Sequence, residues 1–234
     1  NHSIRQQLLS DVPVSCMLSG GLDSSIITGV TSQYISKLST YSVDYQDQDK
    51  YFQPYEYQTT RDDHYIDEVK TLYNTKHKTV TLSQKQLVMS LKESLIARDA
   101  PGMADIDSSF LLFSKEISHN HKVVLSGECA DEIFGGYPWF YRKELYSIDG
   151  FPWMRDLDKR MELFSDEIQA LNIKNYVMDK YHQTLNEIDY HDHTYEDANK
   201  RKMIYLNMEW FMQTLLTRSD SQTMRSSIAV SYTH

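Results

Sequence analysis

The sequence of 234 residues is poor in cysteine and has no long apolar run. Its two cysteines, Cys16 and Cys129, stand far apart without a C-x-x-C pair, which argues against a disulfide scaffold and favours a reducing compartment. No apolar stretch reaches the roughly 18 residues that a membrane-spanning helix needs. Residues 1–9 are polar and lack the apolar core of a signal peptide. We therefore expect a cytoplasmic protein that has no membrane partner.

Positive charge is also scarce, and the formal net charge is −9. A nucleic-acid partner is not expected, because binding through phosphate contacts needs a basic surface. An acidic chain is also a poor host for a naked nucleotide, so a nucleotide site here would need a divalent cation and carboxylates to hold it. The apolar fraction of 40% and the charged fraction of 24% are those of an ordinary globular domain.

The first half of the chain alternates strand-like and helix-like segments, whereas the second half does not. Ser83 and Gln86 form a capping-box pattern at one helix start. Strands are predicted at residues 12–18, 40–45, 78–82 and 122–125, and helices at 24–38, 62–73, after Ser83, and at 107–118, with a polar loop at 46–61. Buried helix positions are predicted at Leu87, Leu91 and Leu95, and at Phe110, Leu111, Phe113 and Ser114.

This alternation predicts an α/β fold with a parallel twisted sheet and helices on both faces. No clear strand follows Tyr137, and residues 186–200 are polar and suggest a surface loop. We expect an α/β domain over residues 1–145 and a helical extension of it over residues 146–234. A helical stripe in the extension is formed by Ile204, Met208, Phe211, Met212 and Leu215.

A glycine-rich loop follows the first predicted strand and opens the first helix. Its glycines let the backbone approach a phosphate, and the helix start adds unpaired N–H groups. Asp23 would repel phosphate alone, but it can hold a Mg²⁺ that bridges phosphates. The alternative is a plain strand-to-helix turn with a serine cap. The loop consists of Ser19, Gly20, Gly21, Leu22, Asp23, Ser24 and Ser25.

A second loop, rich in acids, follows the fourth predicted strand. Loops at the carboxyl ends of parallel strands converge on one edge of the sheet, so both loops are expected to lie together. The three acids suit a metal or a substrate, although a solvated acidic helix start is the alternative. Its sequence is S-G-E-C-A-D-E-I-F-G-G-Y, from Ser126 to Tyr137, with the acids Glu128, Asp131 and Glu132.

The two loops together resemble those of a known family. S-G-G-L-D-S-S resembles the PP-loop of ATP-pyrophosphatases, and S-G-E-x-A-D-E-x-F-G-G-Y resembles the second signature of asparagine synthetases. The chain is therefore similar to the synthetase domain of glutamine-hydrolysing asparagine synthetases over about residues 4–139, and more faintly to residue 230. The resemblance implies an adenine nucleotide alpha hydrolase-like fold, with the PP-loop domain at residues 1–145.

The resemblance also implies the roles of individual residues. Val43 would contact adenine, Ser126 and Gly127 would touch the nucleotide, and Asp23 and Asp131 would bind Mg²⁺. The acids implied near the reacting carboxylate are Glu128, Asp131 and Glu132. The implied ATP-binding segment consists of Leu18, Ser19, Gly20, Gly21, Leu22, Asp23 and Ser24.

The implied reaction has two stages. The side-chain carboxylate of aspartate attacks the α-phosphorus of ATP, giving β-aspartyl-AMP and pyrophosphate, and ammonia then displaces AMP to give asparagine. Ammonia from glutamine would come from an N-terminal glutaminase domain, which we expect in a longer parent chain truncated here at both ends. A homodimer is compatible with this expectation.

Several positions depart from the family pattern. Cys129 replaces the usual glycine, and we interpret it as a tolerated small residue. Ser221 stands where the family has an arginine, in a segment that faintly resembles D-R-x-S-M, and the family's E-V-R-V-P-F is replaced by A-V-S-Y-T-H at residues 229–234. Two alternatives stay open: a PP-loop amide or β-lactam synthetase that acts on another carboxylate, and a nucleotide-binding fragment without turnover. His191 and His193 are expected to face solvent rather than a metal.

Overall fold

A computed structural model gives the structure of the chain and describes residues 1–54, 60–189 and 194–232. His191 and His193 lie outside the described residues. The chain forms two compact units, unit 1 (Asn1–Cys129 with Leu215–His234) and unit 2 (Ala130–Thr214). The units divide after Cys129 and again before Leu215, whereas the sequence analysis expected one boundary after residue 145. The expected domains, residues 1–145 and 146–234, stay a prediction.

The secondary structure is mostly helical, with five strands among the described residues. The strands are β1 (Val14–Met17), β2 (Ser39–Tyr45), β3 (Lys76–Leu82), β4 (Val123–Ser126) and β5 (Ala229–Tyr232). The helices are α1 (His2–Gln7), α2 (Leu22–Thr31), α3 (Gln48–Tyr51), α4 (Asp63–Leu72), α5 (Gln84–Arg98), α6 (Ala104–Ser118), α7 (Ala130–Phe134), α8 (Lys143–Tyr146), α9 (Leu157–Met161), α10 (Asp166–Gln169), α11 (Ile173–Asn186), α12 (Tyr195–Leu206) and α13 (Met212–Arg225). Two 3₁₀ turns (Pro138–Phe140, Pro152–Met154) and a π-helical turn (Asn207–Phe211) complete the list.

The core of unit 1 is a parallel sheet with strand order β3-β2-β1-β4-β5. Neighbouring residues of a strand point to opposite faces, and Val124 and Leu125 belong to two different apolar clusters, so both faces are buried. The predicted α/β fold is therefore confirmed. One cluster holds Ile4, Val14, Cys16, Ile27, Val30, Leu38 and Leu125, and the other holds Tyr41, Val80, Leu82, Phe113, Ile117, Val124 and Ile228.

The last strand corrects the expectation that no strand follows Tyr137. β5 pairs in parallel with β4, and its Tyr232 lies opposite Ser126. The strand has four residues, two of which carry hydroxyl groups, so its own sequence lacks an apolar alternation. It forms because the backbone of β4 offers a ladder of hydrogen bonds, which is a long-range effect.

Helix α5 begins as predicted but buries a different face. Ser83 accepts a hydrogen bond from the Gln86 backbone and Gln86 returns one to Ser83, which confirms the capping box. The predicted leucine stripe is wrong at Leu91 and Leu95, which are exposed. Leu87 does pack against the apolar cluster that contains Val80 and Leu82. The buried side consists of Ser90 and Ser94, and small side chains suit the packing of α5 against α6.

An ion pair joins α5 to α6 in the interior of unit 1. Arg98 Nη1 lies 3.4 Å from Asp107 Oδ2, and the two side chains are 10% and 4% exposed. Nearby, the Ser94 and Ser108 hydroxyls are 3.2 Å apart. Gly102 gives the Asp107 carboxylate its space, because a Cβ there would lie 2.1 Å from Oδ2. The α5–α6 contact is therefore polar where a leucine stripe was expected.

Other helix boundaries also differ from expectation. Helix α2 ends at Thr31 rather than at residue 38, and α3 lies inside the predicted loop at 46–61. Helix α12 begins at Tyr195, inside the predicted loop at 186–200. The expected stripe from Ile204 to Leu215 is helical but contains the π-helical turn. Short polar helices are stabilised mainly by tertiary packing, so local sequence propensity does not predict their boundaries.

Unit 2 is helical and has an aromatic core. Phe151 lies between Tyr181 and Trp210, with ring centroids 5.4 Å and 5.8 Å away. Asn207, fully buried in the π-helical turn, accepts a hydrogen bond from Trp139 Nε1 and donates one to the Met203 carbonyl. The helical character expected for the later part of the chain is thus confirmed. Among the described residues, no helix combines the length and apolar character needed to cross a membrane.

Candidate active site

The first loop lies between β1 and α2, as the sequence predicts. The Leu18 amide donates to the Tyr41 carbonyl at 2.8 Å, which fixes the chain where it leaves the sheet. Gly20 has φ +83°, and a Cβ there would lie 2.9 Å from the Asp62 carbonyl oxygen. Only glycine fits at this position. Other residues are strained at positive φ, and the space that a side chain would need is filled by the start of α4. The loop is therefore held against the start of α4.

The serines of this loop bond to one another and to the loop backbone. Ser24 Oγ lies 3.0 Å from Ser19 Oγ and donates to the Gly21 carbonyl at 3.1 Å. Ser25 Oγ donates to the same carbonyl at 2.7 Å. The N-cap of α2 is Gly21, and no side chain caps the helix within the described chain. The alternative of a serine-capped turn is thus not what forms, and the first amides of this ten-residue helix suit an anion.

The second loop meets the first loop at Gly127. A Cβ on Gly127 would lie 3.1 Å from both Asp23 Cβ and the Ser24 amide nitrogen. Ser126 is buried at the end of β4, and its hydroxyl accepts from the Glu128 amide at 3.1 Å. The start of the second loop therefore lies against the first loop at the carboxyl edge of the sheet, where loops that follow parallel strands are expected to meet.

Glu128 is held by helix α13. Arg218 Nη2 contacts Glu128 Oε1, and the Ser219 hydroxyl contacts Oε2. Both members of the ion pair are 15% exposed. The sequence prediction missed Arg218 and Ser219, although they stand beside the Asp220 segment that resembles the family. An arginine two residues before that acid was the available signal.

Tyr232 extends the polar cluster around Glu128 to the edge strand. Its hydroxyl donates to Asp220 Oδ1 at 3.2 Å. Burial raises the pKa of Tyr232, and the nearby charges of Asp220 and Glu128 raise it further. The phenol is therefore a neutral hydrogen-bond donor throughout the neutral range. Tyr232 sits opposite Ser126 in the sheet, so this donor lies at the same edge as the second loop.

The predicted adenine contact, Val43, lies within β2 of unit 1. It pairs with Val80 of β3, and the residue is 36% exposed. An exposed valine on an inner strand of a buried sheet offers an apolar surface of the kind that a purine ring uses. Leu22 of the first loop is also exposed.

The other two predicted acids, Asp131 and Glu132, belong to unit 2. Asp131 is exposed and lies against Gly136, where a Cβ would meet its carboxylate. Glu132 is 1% exposed and accepts a hydrogen bond from the Tyr137 hydroxyl at 2.6 Å. Tyr137 in turn stacks on Trp139. Glu132 is thus anchored at the edge of the aromatic core, and the catalytic roles of both acids stay predictions.

The described residues hold no group of three or more His, Cys, Asp or Glu side chains arranged to bind a metal. Mg²⁺ does not require such a cage, because it keeps several waters and uses one or two carboxylates together with substrate phosphates. In unit 1 the fitting carboxylate is Asp23, which is half-buried in the first turn of α2 and beside Gly127. The donor set therefore fits Mg²⁺ delivered with a nucleotide.

Cys129 shows backbone strain at the end of unit 1. It has φ +72° and is buried. We expect Cys129→Gly to be more stable than Cys129→Ala by about 1 kcal/mol, because only glycine is unstrained at this φ. Urea unfolding followed by circular dichroism measures the difference. Ala130→Gly, in the first turn of α7, is the matched control and should lose stability. An alanine variant at Cys129 as stable as the glycine variant would contradict the strain.

Comparisons with known proteins bear on the family. The chain matches the asparagine synthase family over residues 1–232. It is 47% identical to asparagine synthetase (glutamine-hydrolyzing) 3 of Bacillus subtilis (strain 168), over 97% of this chain and 38% of that protein. It is 29% identical to asparagine synthetase B of Escherichia coli (strain K12), over 62% of this chain and 28% of that protein. It is 24% identical to asparagine synthetase 1 of Bacillus subtilis, over 97% and 39% respectively.

The chain thus spans less than two-fifths of the length of each of these relatives. The family match covers both loops, β1 to β5 and the return helix α13. It agrees with the sheet order and with the approach of Gly127 to Asp23 at the carboxyl edge of the strands. The chain belongs to the asparagine synthase family.

Proposed function

We propose that this chain carries the ATP-dependent adenylation step of asparagine synthesis. The observation that carries the proposal is the approach of Gly127 to Asp23 and Ser24, which unites the two loops at one edge of the sheet. The names of the relatives, all asparagine synthetases, support aspartate as the substrate. The proposed products of this step are β-aspartyl-AMP and pyrophosphate.

The first loop would bind the phosphates of ATP. The glycine-rich backbone would come close to the phosphates, and the amides at the start of α2 would donate to them. Val43 would contact adenine, with Leu18 and Leu22 flanking the phosphate segment, and Ser126 and Gly127 would close the site from the second loop. Mg²⁺ held by Asp23 would neutralise charge on the phosphates.

The chemistry needs no covalent group on the protein. A carboxylate oxygen of aspartate forms a bond to the α-phosphorus of ATP, and the bond from that phosphorus to the bridging oxygen breaks, so pyrophosphate leaves. Ammonia then attacks the acyl carbon, AMP leaves, and the nitrogen loses a proton. The chain's own contribution is orientation of the two reactants and electrostatic stabilisation by the loop amides and hydroxyls.

The acids of the second loop would act beside the reacting carboxylate. Glu128 is the best placed within unit 1, because Gly127 touches the first loop directly. Asp131 and Glu132 are assigned to this region by the family resemblance. Ammonia would come from a glutaminase domain of the whole protein, since the relatives are named as glutamine-hydrolysing. Both cysteines are free thiols, which supports the proposed cytoplasmic location. The homodimer expected from the sequence stays a prediction.

Pyrophosphate release by the full-length protein tests the proposal. We expect release that depends on both ATP and aspartate, and formation of asparagine when ammonia or glutamine is added. Replacement of aspartate by glutamate is the substrate control and should abolish release. Pyrophosphate release with another carboxylate but not with aspartate would show that the protein is an amide or β-lactam synthetase that acts on a different substrate. Mg-ATP binding without any release would leave a nucleotide-binding protein and overturn the proposal.

A further inference from the structure

We propose that Arg218 and Ser219 are positioning residues for the nucleotide site and act through Glu128. The inference rests on the proposed function, because it concerns the loop that would adjoin the reacting groups. Both residues lie on α13, which belongs to the segment by which the chain returns to unit 1. They reach a loop about ninety residues earlier in the chain.

The geometry accounts for both oxygens of the Glu128 carboxylate. Arg218 Nη2 contacts Oε1, while the Ser219 hydroxyl contacts Oε2. Two donors from successive residues of one helix fix both the position and the plane of the carboxylate. A charge-assisted contact of this kind is stronger and more directional than a neutral hydrogen bond.

Glu128 passes this constraint to the nucleotide site through its own backbone. Its amide donates to Ser126 Oγ at 3.1 Å, which closes the chain around Gly127. Gly127 leaves no room for a side chain beside Asp23. A shift of the Glu128 carboxylate would therefore move the part of the second loop that touches the proposed Mg²⁺ ligand.

The pair is poorly arranged if its purpose is stability alone. Arg218 Nε is buried and has no hydrogen-bond partner among the described residues. A buried donor without a partner weakens a fold, and a buried ion pair is seldom more stabilising than apolar side chains of the same volume. Such costs are typical of sites where geometry matters for function. Arg225 of the same helix forms an ion pair of the opposite kind, at the surface. Its Nε lies 3.4 Å from Glu93 Oε1.

The test compares variants of α13 in the full-length protein and in this chain. Arg218→Met is expected to lower kcat for aspartate-dependent pyrophosphate release about 100-fold, because displacement of a site by about 1 Å has effects of that size. Arg218→Lys should recover part of the loss, and Ser219→Ala should lower kcat about tenfold. Arg225→Met is the matched control and should leave kcat unchanged. Circular dichroism verifies that each variant is folded.

A double-variant cycle separates positioning from direct contact with substrate. In a Glu128→Gln background, Arg218→Met should change kcat less than threefold if Arg218 acts through Glu128. An undiminished 100-fold loss in that background would overturn the inference. Wild-type kcat in both single variants, Ser219→Ala and Arg218→Lys, with each of them folded, would overturn it as well. If Arg218→Met does not fold, these two milder variants decide the outcome.

A failure of the proposed function would look different. In that case the wild-type protein itself would release no pyrophosphate with aspartate. The affinity of this chain for Mg-ATP then tests the inference, since Arg218→Met should weaken it about tenfold and Arg225→Met should not. Equal Mg-ATP affinity in both variants would reject the positioning role independently of the substrate.

Discussion

Asp23→Asn is expected to weaken the binding of Mg-ATP to this chain about 100-fold, since loss of a metal's supporting groups alone reduces affinity 10- to 100-fold. The carboxylate stands in the first turn of α2, where its charge would repel phosphate unless a cation lies between them. Asparagine keeps the shape of the side chain but removes the charge. Isothermal titration calorimetry with Mg-ATP measures the change.

The loss of affinity in Asp23→Asn should disappear when magnesium is removed. With EDTA present, Asp23→Asn should bind ATP no worse than the wild type, because the repulsion between carboxylate and phosphate has been removed. Asp105→Asn is the matched control, since Asp105 is an exposed acid in the first turn of α6. Unchanged Mg-ATP affinity in Asp23→Asn would reject Asp23 as the magnesium ligand.

Asp107→Ala is expected to lower the free energy of unfolding by about 3–5 kcal/mol. The substitution leaves the Arg98 guanidinium buried between α5 and α6 without its carboxylate. An unpaired charge in the interior is far costlier than the loss of a surface pair. Chemical denaturation followed by far-ultraviolet circular dichroism measures the change.

A surface pair on the same helix provides the comparison for Asp107. Glu116 pairs with Lys78 in a contact that is partly exposed on both sides, so Glu116→Ala should cost less than about 1 kcal/mol. The double variant Arg98→Met with Asp107→Leu should recover most of the stability, because apolar pairs replace buried ion pairs well. Equal losses in Asp107→Ala and Glu116→Ala would show that the interior pair contributes no more than a surface one.

The positions of the two loops could be predicted from the sequence because each loop directly follows a strand. Gly20, Gly21 and Asp23 stand directly between a strand and a helix, and the adjacency of residues sets their placement. The meeting of the two loops was expected because loops at the carboxyl ends of parallel strands share one edge of the sheet. The structure adds the reason that they touch, since β1 and β4 are neighbours. The capping box of Ser83 and Gln86 is local in the same sense.

The missed features depend on partners far away in the chain. β5 has too little apolar character to be predicted, and only its pairing with β4 makes it a strand. Leucine spacing on α5 indicated the wrong face, because the contact with α6 uses Ser94 and Ser108. Arg218 is one of several charged residues on α13, and only the position of Glu128 distinguishes it. Sequence patterns do not show which residues distant in the chain come into contact, or whether those contacts are buried.

The return of the chain to unit 1 affects how the protein folds during synthesis. About 100 residues separate β4 from its partner β5, and translation at about 5–20 residues per second takes about 5–20 s to supply them. Until then the edge of β4 has no neighbour on that side, and Glu128 has neither Arg218 nor Ser219. Residues Ala130–Thr214 are meanwhile complete as a contiguous segment. A nascent chain halted before residue 215 should therefore expose an open strand edge to chaperones, whereas β5 covers that edge once it has been synthesised.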